Sequence, residues 1–210
     1  MSQEYRVPEN VTRVEKVRQD IRKVIIHDKV TDIAGDAFRG WAGLEEVVFK
    51  GRSSLERIGS HAFAGTRLEV FIAPGSLKTA RAGAFACCKN LKEIKLNEGL
   101  ESLGEGVFQD SGVETIYIPS TLQRMRKDTF AGCGSLRRVE VAEGCKLGIR
   151  YYLPQNVEVV TVPAKLPPTE DEPSSDFDED DLDGTMTLRE NGELQELQDQ
   201  LREKERIEKE

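Results

Sequence analysis

Four cysteines, two histidines and one adjacent arginine pair are the residues of this chain whose chemistry most needs an account. Cys133 stands in "DTFAGCGSLRRVEV" (128–141), beside glycines and just ahead of Arg137 and Arg138. A thiol in such a place could be a nucleophile, a metal ligand or a disulfide partner, and two arginines could hold an anion. Cys87 and Cys88 are adjacent, Cys145 lies further on, and His27 and His61 are far apart. No CxxC, GxSxG, HExxH or P-loop pattern occurs in the sequence. The acidic stretch "DFDEDDLDG" (176–184) superficially resembles a calcium loop. Counting twelve positions from Asp176 or Phe177, however, reaches Thr187 or Leu188 and not the closing Glu that such a loop needs. The spacing therefore predicts no metal, no cofactor and no catalytic group, and the chain is read as a non-enzyme.

The surroundings of these residues recur. Phe occurs at 38, 63, 85, 108 and 130, in "DAFRGWAGL", "HAFAGTRL", "GAFACCKNL", "GVFQDSGV" and "DTFAGCGSL". Each Phe is followed by an apolar triplet at positions one, four and six of a strand: Leu44-Val47-Phe49, Leu68-Phe71-Ala73, Leu91-Ile94-Leu96, Val113-Ile116-Ile118 and Leu136-Val139-Val141. A second, shorter pair comes next, as in Leu77-Ala80, Leu100-Leu103 and Leu122-Met125, and the next Phe follows it. Two extra residues near Gly51-Arg52-Ser53 lengthen the first repeat. The pattern extends upstream through Ile21-Val24-Ile26 and downstream to Val157-Val160-Val162. A unit this small cannot enclose a core, so equivalent Leu, Val, Ile and Phe must stack into columns. In this frame Trp41, Thr66, Cys88, Ser111 and Cys133 share one turn position. Cys88 and Cys133 are then two rungs apart, near 10 Å and beyond disulfide reach. They are expected to be reduced, turn-filling thiols. Gly104 and Gly106 of "GEG" are expected to permit a tight turn, and His27 and His61 to be solvent-facing turn residues.

The units in "LKEIKLNEGLESLGEGVFQDSGVETIYIPSTLQRMRKDTFAGCGSL" (91–136) resemble the BspA-like leucine-rich repeat family, whose consensus runs roughly L-x-x-I-x-I-P-x-x-V-x-x-I-G-x-x-A-F-x-G-C. The match covers about residues 21–141, or up to 163 with a terminal cap. Trp41, Thr66 and Ser111 depart from it at the Cys position, and Ala73 and Ala80 are small for their columns. The resemblance implies an α/β repeat, rich in β: a right-handed solenoid of six to seven rungs of ~23 residues with a parallel sheet on one face. It also implies an adhesion or protein-interaction module without enzymatic activity. The expected organisation is an N-terminal cap or partial repeat over 1–20, the solenoid with its C-terminal cap over 21–163, an acidic disordered linker over 164–185, and a helix over 186–210. The apolar stripe Leu194, Leu197 and Leu201 of that helix would start a coiled coil and offer an oligomerisation element.

What can act on other molecules is then the outer surface. By period two, the third and fifth strand positions point outward. These are Glu46/Val48, Val70/Ile72, Glu93/Lys95, Thr115/Tyr117 and Arg138/Glu140, with Val159/Thr161 in the last strand. Val48, Val70 and Ile72 are expected to form an exposed apolar patch beside Tyr117, rimmed by Glu46, Glu93 and Lys95, which reads as a protein-binding face. The net charge of -8 hides an uneven distribution. Residues 169–210 hold 17 acidic and 5 basic side chains, leaving a body of net +4. That is too weak a positive field for nucleic acid, and no stretch is apolar enough for membrane insertion. With no signal-like start and unpaired cysteines, the reading is a cytoplasmic scaffold that binds protein. The alternative, if the chain is part of a longer precursor, is a cell-surface adhesion module that binds extracellular protein or glycan.

Overall fold

The computed structural model describes residues 4–15, 21–126 and 128–164. The strands alternate between long and short. The long series is β1 (Glu4–Arg6), β3 (Lys23–Ile26), β5 (Glu46–Phe49), β7 (Val70–Ile72), β9 (Glu93–Lys95), β11 (Thr115–Ile118), β12 (Arg138–Ala142) and β13 (Glu158–Val162). The short series is β2 (Arg13–Val14), β4 (Asp32–Ile33), β6 (Arg57–Ile58), β8 (Thr79–Ala80) and β10 (Ser102–Leu103), continued by a bridge from Ser102 to Arg124. Every pairing is parallel and joins one rung to the next, giving a β-solenoid of about seven turns. The expected α/β class is corrected here. Among the described residues there is no α-helix, and Ile149–Tyr152 forms a 3-10 turn. The expected linker and terminal helix lie outside the described residues. No helix among the described residues is long and apolar enough to cross a membrane.

The long strands form two ladders, β1-β3-β5 and β7-β9-β11-β12-β13. The break between β5 and β7 falls in the rung that carries the two extra residues at 51–53. There the Arg67 N–H donates to the Leu44 carbonyl, and Phe49 meets Phe71 edge-on at 6.0 Å. The short strands form a second parallel sheet that the repeat pattern did not announce.

The third side of each rung is the Phe turn. Phe38, Phe63, Phe85, Phe108 and Phe130 stack nearly parallel, with centroids 5.1, 5.3, 5.8 and 5.6 Å apart. Trp41 closes the N-terminal end of the column edge-on against Phe38. The turn backbone is laddered too. The N–H groups of Phe38, Phe63 and Phe85 each donate at 2.8 Å to a carbonyl of the following rung. Left-handed residues stand two before and two after Phe38, Phe63, Phe85 and Phe108, and Gly132 stands two after Phe130, which lets the chain turn around the ring. Gly65 fills one such place at φ 71°, but Cys87 holds the equivalent place at φ 59° with a Cβ. The "GEG" glycines divide two tasks. Gly106 supplies φ 56°, while a Cβ on Gly104 would lie 2.6 Å from the Ala82 backbone nitrogen, so Gly104 permits close approach of rungs.

The last strand corrects the expected phase. The ladder pairs Val139 with Val159 and Val141 with Thr161. Val159 and Thr161 therefore share the inward register, and Glu158 and Val160 the outward one. Val157, Val159, Val160 and Val162 make both phases look apolar, so the backbone bonds to β12 decide the register.

Two substitutions test the Phe column and its turns. Phe85→Ala should cost about 3–5 kcal/mol, because both neighbouring rings lose their partner. Cys87→Gly should instead gain about 1 kcal/mol by relieving the left-handed backbone. Thermal or denaturant unfolding of the two variants reads both effects.

Candidate interaction surfaces

The residues singled out for chemistry settle into structural work. Cys88 is buried, and its Sγ donates to the Phe63 carbonyl of the preceding rung at 3.1 Å, with Thr66 Oγ1 at 3.4 Å. Cys133 repeats this arrangement, with the Phe108 carbonyl at 2.9 Å and Ser111 Oγ at 3.4 Å. Thr66 and Ser111 thus belong to the same turn column as the cysteines, and all four cysteines are free. Burial pushes both thiols up, and the Thr66 and Ser111 hydrogen bonds offset only part of that. Among the described residues no cluster of His, Cys, Asp and Glu is placed to hold a metal ion. His27 departs from its expected solvent-facing role. Its Nε2 bonds the Pro8 carbonyl at 2.9 Å, and Nδ1 accepts from the Lys29 N–H at 3.2 Å, so it fastens the first rung to the second. His61 sits in a turn at φ 55°, over Gly83.

Arg137 and Arg138 separate. Arg137 is exposed and pairs with Glu114 of the preceding rung. Arg138 points to the outer sheet face and pairs with Glu140 at 3.3 Å and Glu158 at 3.4 Å. On the same face Lys23 and Glu46 pair at 2.9 Å.

The expected exposed apolar patch is not exposed. Val48 and Val70 are buried, at 5% and 3% exposure, and join Ile25 in a small cluster against which half-buried Ile72 packs. Parallel strands bring equivalent β-branched side chains within contact distance, so each shields the next. Tyr117 is buried as well. Its hydroxyl donates to Glu98 Oε1 at 2.7 Å, and Glu98 also accepts from the Ser120 N–H and hydroxyl. Beside it a depression of about 120 Å³ is lined by Glu93, Lys95, Thr115, Tyr117 and Glu140. The structure thus gathers these residues on β9, β11 and β12, with Ile72 opposite Lys95 on β7. Glu46 and Val48 lie across the seam, on the other ladder.

A second surface escaped the sequence reading. On the short-strand side, a groove of about 720 Å³ runs past Thr79, Ser102 and Gly104 between Arg81, Arg124 and Arg126. Arg81 and Arg126 each stand four residues before a Phe, two rungs apart, with Gly104 at that position between them. Arg124 shares the column of Asp32, Arg57, Thr79 and Ser102. Small side chains between long ones make the groove, and the repeat frame, carried to those columns, could have found it. Upstream in that column Arg57 grips Asp32 through Nε at 2.5 Å and Nη2 at 2.7 Å.

A model of the BspA type leucine-rich repeat region matches six copies over residues 17–137. The chain belongs to that family. Of solved structures, the pneumococcal vaccine antigen PcpA is similar at 21% identity with a TM-score of 0.65. The match covers 69% of this chain and 42% of that one, so this chain spans less than half of that protein. The leucine-rich repeat protein of T. pallidum is similar at 24% identity and a TM-score of 0.56, covering 70% of this chain and 77% of that one. At these identities the likeness is one of fold. No curated protein matches the sequence.

Membership removes the weight that the thiols had as a sign of compartment. A buried Cys that satisfies a turn carbonyl is a part of the repeat in any setting, so a cytoplasmic placement has no support here.

Two expectations follow. A thiol-reactive reagent applied to the native protein should modify exposed Cys87 while Cys88 and Cys133 stay intact, as mass spectrometry of peptides would show. Acid should weaken the fold through two carboxyls. For Asp32, the Arg57 hydrogen bond outweighs burial and holds the carboxyl below its usual range. For Glu98, burial pushes upward, but the bonds from Tyr117 and Ser120 prevail and the net shift is downward. The unfolded chain takes up these protons near pH 4, and the folded chain only at lower pH. Their contribution is therefore complete above that range and is lost as the pH falls through it. Glu98→Gln should flatten the acid side of a plot of melting temperature against pH.

Proposed function

We propose that the chain is a non-catalytic scaffold that binds a protein partner on the outer face of its long sheet, around Ile72, Glu93, Lys95, Thr115, Arg138 and Glu140. One observation carries this reading. The inward positions repeat the same chemistry from rung to rung, while the outward ones vary. The register reads Val70, Glu93, Thr115, Arg138, Glu158 along one column and Ile72, Lys95, Tyr117, Glu140, Val160 along the other. A core column needs only size and apolarity, so variation of charge and shape belongs to a surface that addresses something else. Buried Val48, Val70 and Tyr117 hold the face in shape, and Glu46 ends it beyond the seam.

A second reading is display outside the cell as an adhesion module for extracellular protein or glycan. The likeness to a pneumococcal vaccine antigen favours it.

A variant carrying Ile72→Lys, Lys95→Glu and Thr115→Arg should keep its unfolding free energy within about 1 kcal/mol of the wild type, because these side chains are at most half-buried. It should lose at least ten-fold in affinity for a partner captured by the wild-type chain. Equal affinity in a titration of the purified partner would remove this face from consideration. Labelling of intact cells with a membrane-impermeant reagent separates the second reading from the first.

A further inference from the structure

The groove on the short-strand side presents more positive charge than its surroundings use. Among the described residues, no ion pair or side-chain hydrogen bond engages Arg81, Arg124 or Arg126, although Arg57, in the column of Arg124, is doubly paired. All three are exposed, and Glu105 is the one carboxylate on the lining. Three guanidiniums converge here on a channel of about 720 Å³ whose floor is Thr79, Ser102 and Gly104, small enough to admit a main chain. One end is bounded by Leu147 and Tyr152 of the C-terminal cap, both half-buried apolar side chains. The ligand that fits is an extended, acidic peptide with an occasional apolar anchor.

We propose that this groove holds the chain's own acidic segment, 170–183, docked in cis. That segment carries nine acidic residues and no basic one, with Phe177 and Leu182 as its large apolar side chains. It begins six residues after Ala164, where the described chain ends, beyond β13 at the same end of the solenoid as Leu147 and Tyr152. Six residues span up to about 20 Å when extended. Arg81 and Arg126 lie only two rungs, or about 10 Å, apart along the axis. Tethering sets the local concentration of the segment near the millimolar range, above that of any free acidic ligand. A nucleic acid is the poorer occupant, since the net charge of -12 over 169–210 repels a polyanion from the same end. The inference does not depend on the long-sheet reading, because it uses other residues on another side.

The test uses the full-length chain throughout. In one variant the nine carboxylates of 170–183 become amides. In a second, Arg81→Glu, Arg124→Glu and Arg126→Glu reverse the groove. Arg81, Arg124 and Arg126 are exposed, and circular dichroism and melting first confirm that both variants fold. The Nε–H signals of the three arginines, assigned by nuclear magnetic resonance, should differ between wild type and the amidated variant. They should converge on raising salt from about 0.1 M to about 1 M, as the Debye length falls from ~10 Å to ~3 Å. Arg137, already paired with Glu114, should not move. A synthetic peptide of residues 168–184 should bind the amidated variant at least ten-fold more tightly than wild type, whose groove is filled. It should not bind the reversed variant. Superimposable arginine signals, or equal peptide affinity for wild type and the amidated variant, would overturn cis docking. So would arginine shifts that depend on protein concentration, which would make the occupant the tail of a second copy.

Discussion

The rung-to-rung contact of the Phe turn is the constraint on which the structure depends. A rung of about 23 residues has an inside of a few side chains and cannot keep water out alone. Its Phe becomes buried only when the ring above and the ring below cover it. The same step satisfies the turn backbone, because the N–H groups of Phe38, Phe63, Phe85 and Phe108 each find a carbonyl on the next rung. Apolar stacking and backbone pairing are thus one event, at centroid spacings of 5.1 to 5.8 Å. The left-handed residues on either side of the Phe follow from this. The ring must enter the column while the chain reverses around it, and positive φ two residues before and after is how the backbone does so.

Much of this was legible in the sequence, and the parts that were not have a common cause. The Phe interval, the inward triplets and the shared turn position of Thr66, Cys88, Ser111 and Cys133 are column properties, and columns repeat. The short-strand sheet was read only as an extended segment, since two-residue strands leave no periodicity of their own. The β13 register failed because four valines made both phases apolar, leaving the choice to hydrogen bonds. The burial of Val48 and Val70 was missed because alternation assigns a face and says nothing of what neighbouring strands place on it. His27 looked exposed until Pro8, nineteen residues away, supplied its partner. Each miss concerns contact between rungs, which no single repeat encodes.

The turn cysteines show how a polar requirement can resemble a functional site. The Phe63 carbonyl must accept bonds in a buried corner. Thr66 supplies one from its own rung and Cys88 one from the next. A small side chain with a weak donor suffices, which is why Thr, Ser and Cys interchange along this column. The reactive group is placed where its reactivity is suppressed, with the thiol pushed up by burial.

This division of labour explains where function can reside. Columns that face inward tolerate only a narrow range of sizes, as Ala73 beside Phe71 illustrates. Columns that face outward are free of that demand, and their departures from uniformity create relief. Long arginines flanking Thr79, Ser102 and Gly104 give a groove. Ile72 opposite Lys95, and Tyr117 tied down to Glu98, give a shallow charged face. Both surfaces span several rungs, so neither exists in a single repeat. A change that shifts rung spacing must therefore alter both together, even though they lie on different sides of the solenoid.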